Sequence, residues 1–265
     1  MDRAWRVFGY LIATYGRHHL VISLFPALLK VTMSSADQDV IMLLGDSITQ
    51  GGWKAGGFAQ ELAYKYARKL DIINRGMSGY NTDWGLPVFE KCFAKQHEQQ
   101  HLPKVRILTI WFGANDAAVQ PSPQYVPIPQ FVANLTKMVR MITSSSSPWH
   151  SPSTHIILMT PPPVNSYMRA ADLGSRDPPR PADRDFETTK KYAEAVVDVA
   201  KKEGVHLADI WTAVYDAAGR DEQALGRYLY DGLHPNAAGY QVRNPEAPTL
   251  TDVDPAEPWR GLGHL

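Results

Sequence analysis

Val40-Ile41-Met42-Leu43-Leu44-Gly45-Asp46-Ser47-Ile48-Thr49-Gln50 runs an unbroken apolar stretch into an abrupt polar turn. Large apolar residues without polar alternation suit a strand buried on both faces, the habit of a parallel sheet. A glycine at the strand end permits a sharp change of direction, and Ser47 follows it out of the sheet. A serine hydroxyl is a weak nucleophile until a base takes its proton and a third group orients that base. Asp231-Gly232-Leu233-His234, late in the chain, carries a carboxylate and an imidazole on one short stretch.

Short apolar runs, some interrupted by polar residues, recur at residues 70–74, 105–112, 155–160 and 205–210, which with residues 40–44 makes five expected strands. Helix-period segments lie between them. Phe58, Leu62 and Tyr66 share one helical face, as do Phe131, Leu135, Met138 and Ile142, and again Tyr192, Val196 and Val199. Such β-α alternation predicts an α/β fold of three layers, α/β/α, around a five-stranded parallel sheet. In open parallel sheets the sites form beyond the carboxyl ends of the strands. Ser47, Gly79 and Asn115 all fall beyond expected strand ends. Two proline-rich connections, residues 121–129 and 161–181, are long, and the second reads as a loop over the site.

Each of these residues also has an ordinary use. Ser47 before a helix is a good N-cap, and Gly79 and Asn115 are common turn residues. A phosphate-cradling loop at residues 45–52 lacks the GxxxxGK[ST] pattern. The catalytic reading draws on their combination. A glycine lets a backbone N–H approach a substrate oxygen, and the Asn115 amide is a neutral donor that stabilises negative charge without pairing to Asp231. Asp231 and His234, three residues apart and followed by Pro235, suit a tight loop that sets carboxylate against imidazole.

Four ordered blocks, GDSITQGGW, NRGMSGYNT, FGANDAA and DGLH, together resemble the GDSL or SGNH hydrolase family, and within it the isoamyl-acetate-hydrolysing esterase group. The resemblance covers about residues 40–240. It implies a flavodoxin-like SGNH hydrolase fold with Ser47 as nucleophile, Asp231 and His234 completing a triad, and an oxyanion hole of the Ser47 amide, Gly79 and Asn115. The expected activity is hydrolysis of small neutral carboxylic esters of the acetate type through an acyl-enzyme on Ser47, with no cofactor and no metal.

Composition supports this without identifying it. Lys plus Arg and Asp plus Glu balance at 27 each, so no global field favours nucleic acid or an anionic membrane and neutral partners are expected; the resemblance implies that this partner is a small-molecule ester. Homo-oligomers are compatible with the sequence. Cys92 is the only cysteine, which excludes an internal disulfide and favours a reducing, cytoplasmic compartment. Asn134-Leu135-Thr136 matches a glycosylation acceptor but lies within an apolar-periodic segment. His97-Glu98-Gln99-Gln100-His101 formally fits the HExxH zinc-peptidase helix, a distant alternative function through His97, Glu98 and His101. Its strongly polar surroundings and Pro103 favour a solvated helix end.

The termini depart from the family pattern. Residues 1–32 read as an N-terminal extension outside the fold, residues 33–243 as the hydrolase domain and residues 244–265 as an irregular tail. The apolar stretch at residues 20–31 is too short to span a bilayer, so stable membrane insertion is not expected, although the extension leaves a membrane or secretory address open. After Val242, Asn244-Pro245 interrupts what should be a long amphipathic helix. A deletion there suggests a second functional reading, a catalytically weak or silent relative.

Overall fold

The computed structural model describes residues 38–242. Five strands form one sheet: β1 (Val40–Gly45), β2 (Asp71–Gly76), β3 (Val105–Trp111), β4 (His155–Met159) and β5 (His206–Ala208). Every neighbouring pair is parallel, and the order is β2-β1-β3-β4-β5. This is the flavodoxin-like order, with the switch point between strands 1 and 3. The expected α/β class and strand count are both found. The expectations about residues 1–32 and 244–265, and about a helix missing after Val242, concern segments outside the described residues.

The helices are α1 (Ser47–Gly51), α2 (Phe58–Lys65), α3 (Thr82–Cys92), α4 (Ile128–Thr143), α5 (Ser166–Gly174), α6 (Phe186–Glu203), α7 (Ile210–Ala217) and α8 (Ala237–Tyr240). Successive side chains of β1 serve opposite faces of the sheet. Met42 and Leu44 join Leu108 and Ile110 under Phe131, Leu135, Met138, Tyr192 and Val196 from α4 and α6. Ile41 and Leu43 join Ile107 and Ile157 under Ala59, Leu62 and Tyr66. Each of these aliphatic side chains, fully buried, stabilises the fold by about 1.5–3 kcal/mol. Burial on both faces therefore fixes β1 inside the sheet, between β2 and β3, and leaves little freedom to whatever leaves its carboxyl end.

Three helices depart from the sequence expectation. Residues 161–181 contain α5 rather than an unstructured loop, because Asn165 caps it by accepting from the Met168 N–H and no proline falls inside it. Strand β5 stops at Ala208, short of residue 210, because Asp209 caps α7 through the Thr212 N–H. Helix α3 carries Pro87 in its interior, which masks its periodicity, yet Asn81 caps it through the Trp84 N–H.

The turn after β3 is held by a buried polar chain. The Asp116 carboxylate accepts from both the Thr82 N–H and the Thr82 hydroxyl, and that hydroxyl accepts in turn from Asn134 Nδ2. Asn134 also donates to Asp83 at 2.7 Å, so the amide of the apparent glycosylation site is buried and spent inside the protein. The second Asp116 oxygen has no partner among the described residues. Burial outweighs the Thr82 hydrogen bonds and pushes the Asp116 carboxyl up to about 7.

A carboxyl raised in this way favours the fold while protonated, so its contribution is full below the ordinary carboxylate range and is lost as pH rises through about 7. Asp116→Asn keeps the acceptor toward Thr82 and removes the titration. Its melting temperature should therefore gain on the parent's as pH is raised from about 5 to about 8. Parallel melting curves across that range would show that Asp116 is charged throughout.

Candidate active site

Gly45 ends β1, and the chain turns at once into the short helix α1. Asp46, not Ser47, is the N-cap: its side chain accepts from the Ile48 N–H at 2.8 Å. That frees the Ser47 hydroxyl from capping, the ordinary use open to it from the sequence. Asp46 is fully buried, and burial outweighs both its hydrogen bond to Ile48 and the charges of His234 and Arg184, raising its carboxyl to about 6. Gly76, at the end of β2, allows α1 to sit close: a Cβ there would lie 2.0 Å from the Gln50 nitrogen.

Ser47 Oγ lies 2.9 Å from His234 Nε2. His234 Nδ1 lies 2.8 Å from Asp231 Oδ2, while the other carboxylate oxygen, Oδ1, accepts from the backbone N–H groups of Leu233 and His234. With Nδ1–H donating to Asp231, Nε2 carries the lone pair that accepts the Ser47 proton. Burial works against the Asp231 charge, but the hydrogen bonds from the His234 ring and backbone prevail and hold the carboxyl well below the usual carboxylate range. Asp231 therefore stays ionised and holds the ring in one tautomer.

The loop that carries these residues is anchored at several points. Leu233 is buried in a cluster with Ile48, Trp111, Ala114 and Val164. The Asn165 N–H donates to Gly232 O, and Tyr240 in α8 donates its hydroxyl to Ile48 O. Arg169, invisible to the sequence reading, is buried in α5 and donates from Nη1 to Asp231 Oδ2 at 3.0 Å. Its Nε and Nη2 form a two-pronged pair with Asp183. The spacing of Arg169 from Leu173 on an unrecognised helix was the one signal that could have exposed it.

Gly79 and Asn115 lie beyond the ends of β2 and β3, the two strands that flank β1. Gly79 has φ +82, a left-handed conformation that favours glycine. Asn115 is buried and donates from Nδ2 to Tyr80 O at 2.8 Å. Two residues missed from the sequence support it. Gln124 Nε2 donates to Gly79 O and to Asn115 Oδ1, at 2.8 and 3.2 Å. Arg184, whose side chain is 1% exposed, donates from Nη2 to Asn115 Oδ1 and to Gln124 Oε1.

Ser47 and His234 open on a cleft of about 450 Å³ lined also by Gln50, Gly51, Trp53, Lys54, Ser78 and Tyr230. The Tyr230 ring stacks on His234 with 5.5 Å between centroids, and Lys54 Nζ stands 4.9 Å from the Tyr230 centroid. His97 and His101 are far from forming a helical pair: residues 96–98 are a turn, and only the 3-10 helix Gln99–His101 follows. The i,i+4 face on which the zinc reading depends does not form, and Glu98 folds back to accept from the Lys95 N–H. Among the described residues no three His, Cys, Asp or Glu side chains gather as a metal site. Nor is any helix there long and apolar enough to cross a membrane.

The family model of the GDSL-like lipase/acylhydrolase family matches residues 43–242. The chain is 35% identical over 201 residues to the isoamyl acetate-hydrolyzing esterase 1 homolog of Bos taurus, covering 75% of this chain and 76% of that protein. A GDSL esterase/lipase of Arabidopsis thaliana is 34% identical, covering 76% and 81%. Among solved structures, a lipase/acylhydrolase from Enterococcus faecalis superposes with TM-score 0.53 at 25% identity, covering 77% of this chain and 90% of that one. The acetylxylan esterase Axe2 from Geobacillus stearothermophilus shares the fold, with TM-score 0.54 at 19% identity over 77% and 90%.

Removing one partner of a buried ion pair leaves the other charge unpaired, which costs about 3–5 kcal/mol. Arg169→Ala should lose stability on that scale in denaturant unfolding, because the buried Asp231 loses its guanidinium and Asp183 keeps only the 3.3 Å contact of Arg184. A loss below about 1 kcal/mol, the range of exposed pairs, would show that Arg169 does not carry these carboxylates.

Proposed function

Because the chain belongs to the GDSL-like lipase/acylhydrolase family and is a carboxylic ester hydrolase, we propose that it is a serine esterase acting through an acyl-enzyme on Ser47. The single observation that carries this reading is the 2.9 Å contact of Ser47 Oγ with His234 Nε2, backed by the 2.8 Å contact of Nδ1 with Asp231. Ser47 Oγ attacks the ester carbonyl carbon while its proton passes to His234 Nε2. The carbonyl oxygen becomes an oxyanion that takes hydrogen bonds from the Ser47 and Gly79 N–H groups and from Asn115 Nδ2. The ionised Asp231 stabilises the imidazolium. His234 then returns the proton to the departing alcohol, and water repeats the sequence on the acyl group, restoring Ser47.

The substrate in this proposal is a small neutral ester with a short acyl group such as acetate. Support comes from the cleft, whose lining of Gln50, Ser78, Lys54, Trp53 and Tyr230 includes no aliphatic side chain. Burying apolar area is worth about 25 cal/mol per Å², and the only large apolar surfaces in this lining are the half-exposed Trp53 and Tyr230 rings. Two relatives are named for acetate esters, the Bos taurus homolog and the Geobacillus esterase. No metal or cofactor enters the steps. A cytoplasmic placement rests on the single cysteine, Cys92.

A hydrolysis panel over acyl length tests the proposal. Acetate and propionate esters should be the best substrates, with activity falling for longer chains and absent in Ser47→Ala. Asn115→Ala should lower kcat by about 10²–10³ with little change in KM, since the donor acts mainly on the transition state. A folded parent with no turnover on any ester would favour the silent-relative reading, and rising activity with acyl length would overturn the short-acyl assignment.

A further inference from the structure

Arg184 and Gln124 touch neither Ser47 nor His234 in any described hydrogen bond, yet their contacts decide which way the Asn115 amide faces. A guanidinium has donors only. Arg184 Nη2 lies 3.0 Å from one end of the Asn115 amide and 2.9 Å from one end of the Gln124 amide, so both of those ends must be carbonyl oxygens. Gln124 is thereby forced to present Nε2 to Gly79 O and to Asn115 Oδ1. Asn115 Oδ1 then accepts twice, from Gln124 and from Arg184. Its Nδ2 must point the other way, where one hydrogen goes to Tyr80 O and the second has no described partner.

We infer that Gln124 and Arg184 are positioning residues of the oxyanion hole, which fix the polarity of the Asn115 amide and tie it to the Gly79 peptide. The inference rests on the reading of Asn115 as an oxyanion donor. A half-turn of the amide would aim its oxygen at the developing negative charge, replacing an attraction by a repulsion. Arg184 excludes that rotamer, because its Nη2 would face an NH2 group. Arg184 is itself fixed by donating from Nε to Ala114 O and from Nη1 to Asp183 O. Asp183 is the carboxylate paired with Arg169, so the same loop braces both the oxyanion side and the Asp231 side of the site.

The test uses the full chain, an acetate ester as substrate and four variants: Asn115→Ala, Gln124→Ala, Gln124→Glu and the Asn115→Ala/Gln124→Ala double. Gln124→Glu keeps the shape and the acceptor for Arg184 but loses both donations to Asn115 and Gly79. It should lower kcat by tenfold or more at nearly constant KM, at least as severely as Gln124→Ala, with the melting temperature of each variant confirming the folded state. The double variant should lose clearly less than the product of the two single losses, because Gln124 acts through Asn115. Parent-like kcat in Gln124→Glu, or fully multiplicative losses, would overturn the positioning role while Asn115→Ala remained slow. If Asn115→Ala itself turned over like the parent, the oxyanion reading beneath it would fail instead.

Discussion

The contact between Ser47 Oγ and His234 Nε2 joins residues 187 positions apart, and much of the described structure serves to keep it at 2.9 Å. One end is rigid because β1 is buried on both faces and flanked by β2 and β3. The other end is a loop, and loops are held only by what they pack against and bond to. Leu233 supplies the packing, next to Ile48 in the same helical turn as Ser47. Asn165 and Arg169, the N-cap and an interior residue of α5, and Tyr240 of α8 supply the bonds.

Carboxylates around this contact are sorted by their partners. Asp231 is held ionised by donors on both oxygens. Asp46 and Asp116 are buried with fewer donors and are raised toward neutrality, to about 6 and about 7. Under the proposed mechanism a charged carboxylate behind the imidazole stabilises a developing imidazolium, whereas unpaired negative charge near the proposed oxyanion donors would oppose the charge they receive. Arg184, buried beside Asn115, adds positive charge on that side.

Much of this was legible in the sequence because the signals were local. Short, predominantly apolar runs located all five strands, and the four motif blocks led to Ser47, Gly79, Asn115, Asp231 and His234, which the fold carries to the carboxyl end of one sheet. Ends of elements were read less well where a side-chain cap decided them, as with Asp209 at the start of α7 and Asn165 at the start of α5. The supporting residues were invisible for a different reason. Gln124 and Arg184 sit in proline-rich or polar stretches without periodicity, Arg169 on a short helix whose only signal is its spacing from Leu173, and their meaning lies in contacts 9 to 70 positions away. No spacing rule expresses a buried arginine that selects an amide rotamer.

In the proposed reaction the Ser47 hydroxyl is the nucleophile and His234 its base. Site-mapping mass spectrometry after treatment with a sulfonyl fluoride measures it directly. One label per chain is expected, on Ser47, forming far more slowly in His234→Ala. A label on another residue, or equal labelling of Ser47→Ala, would contradict it.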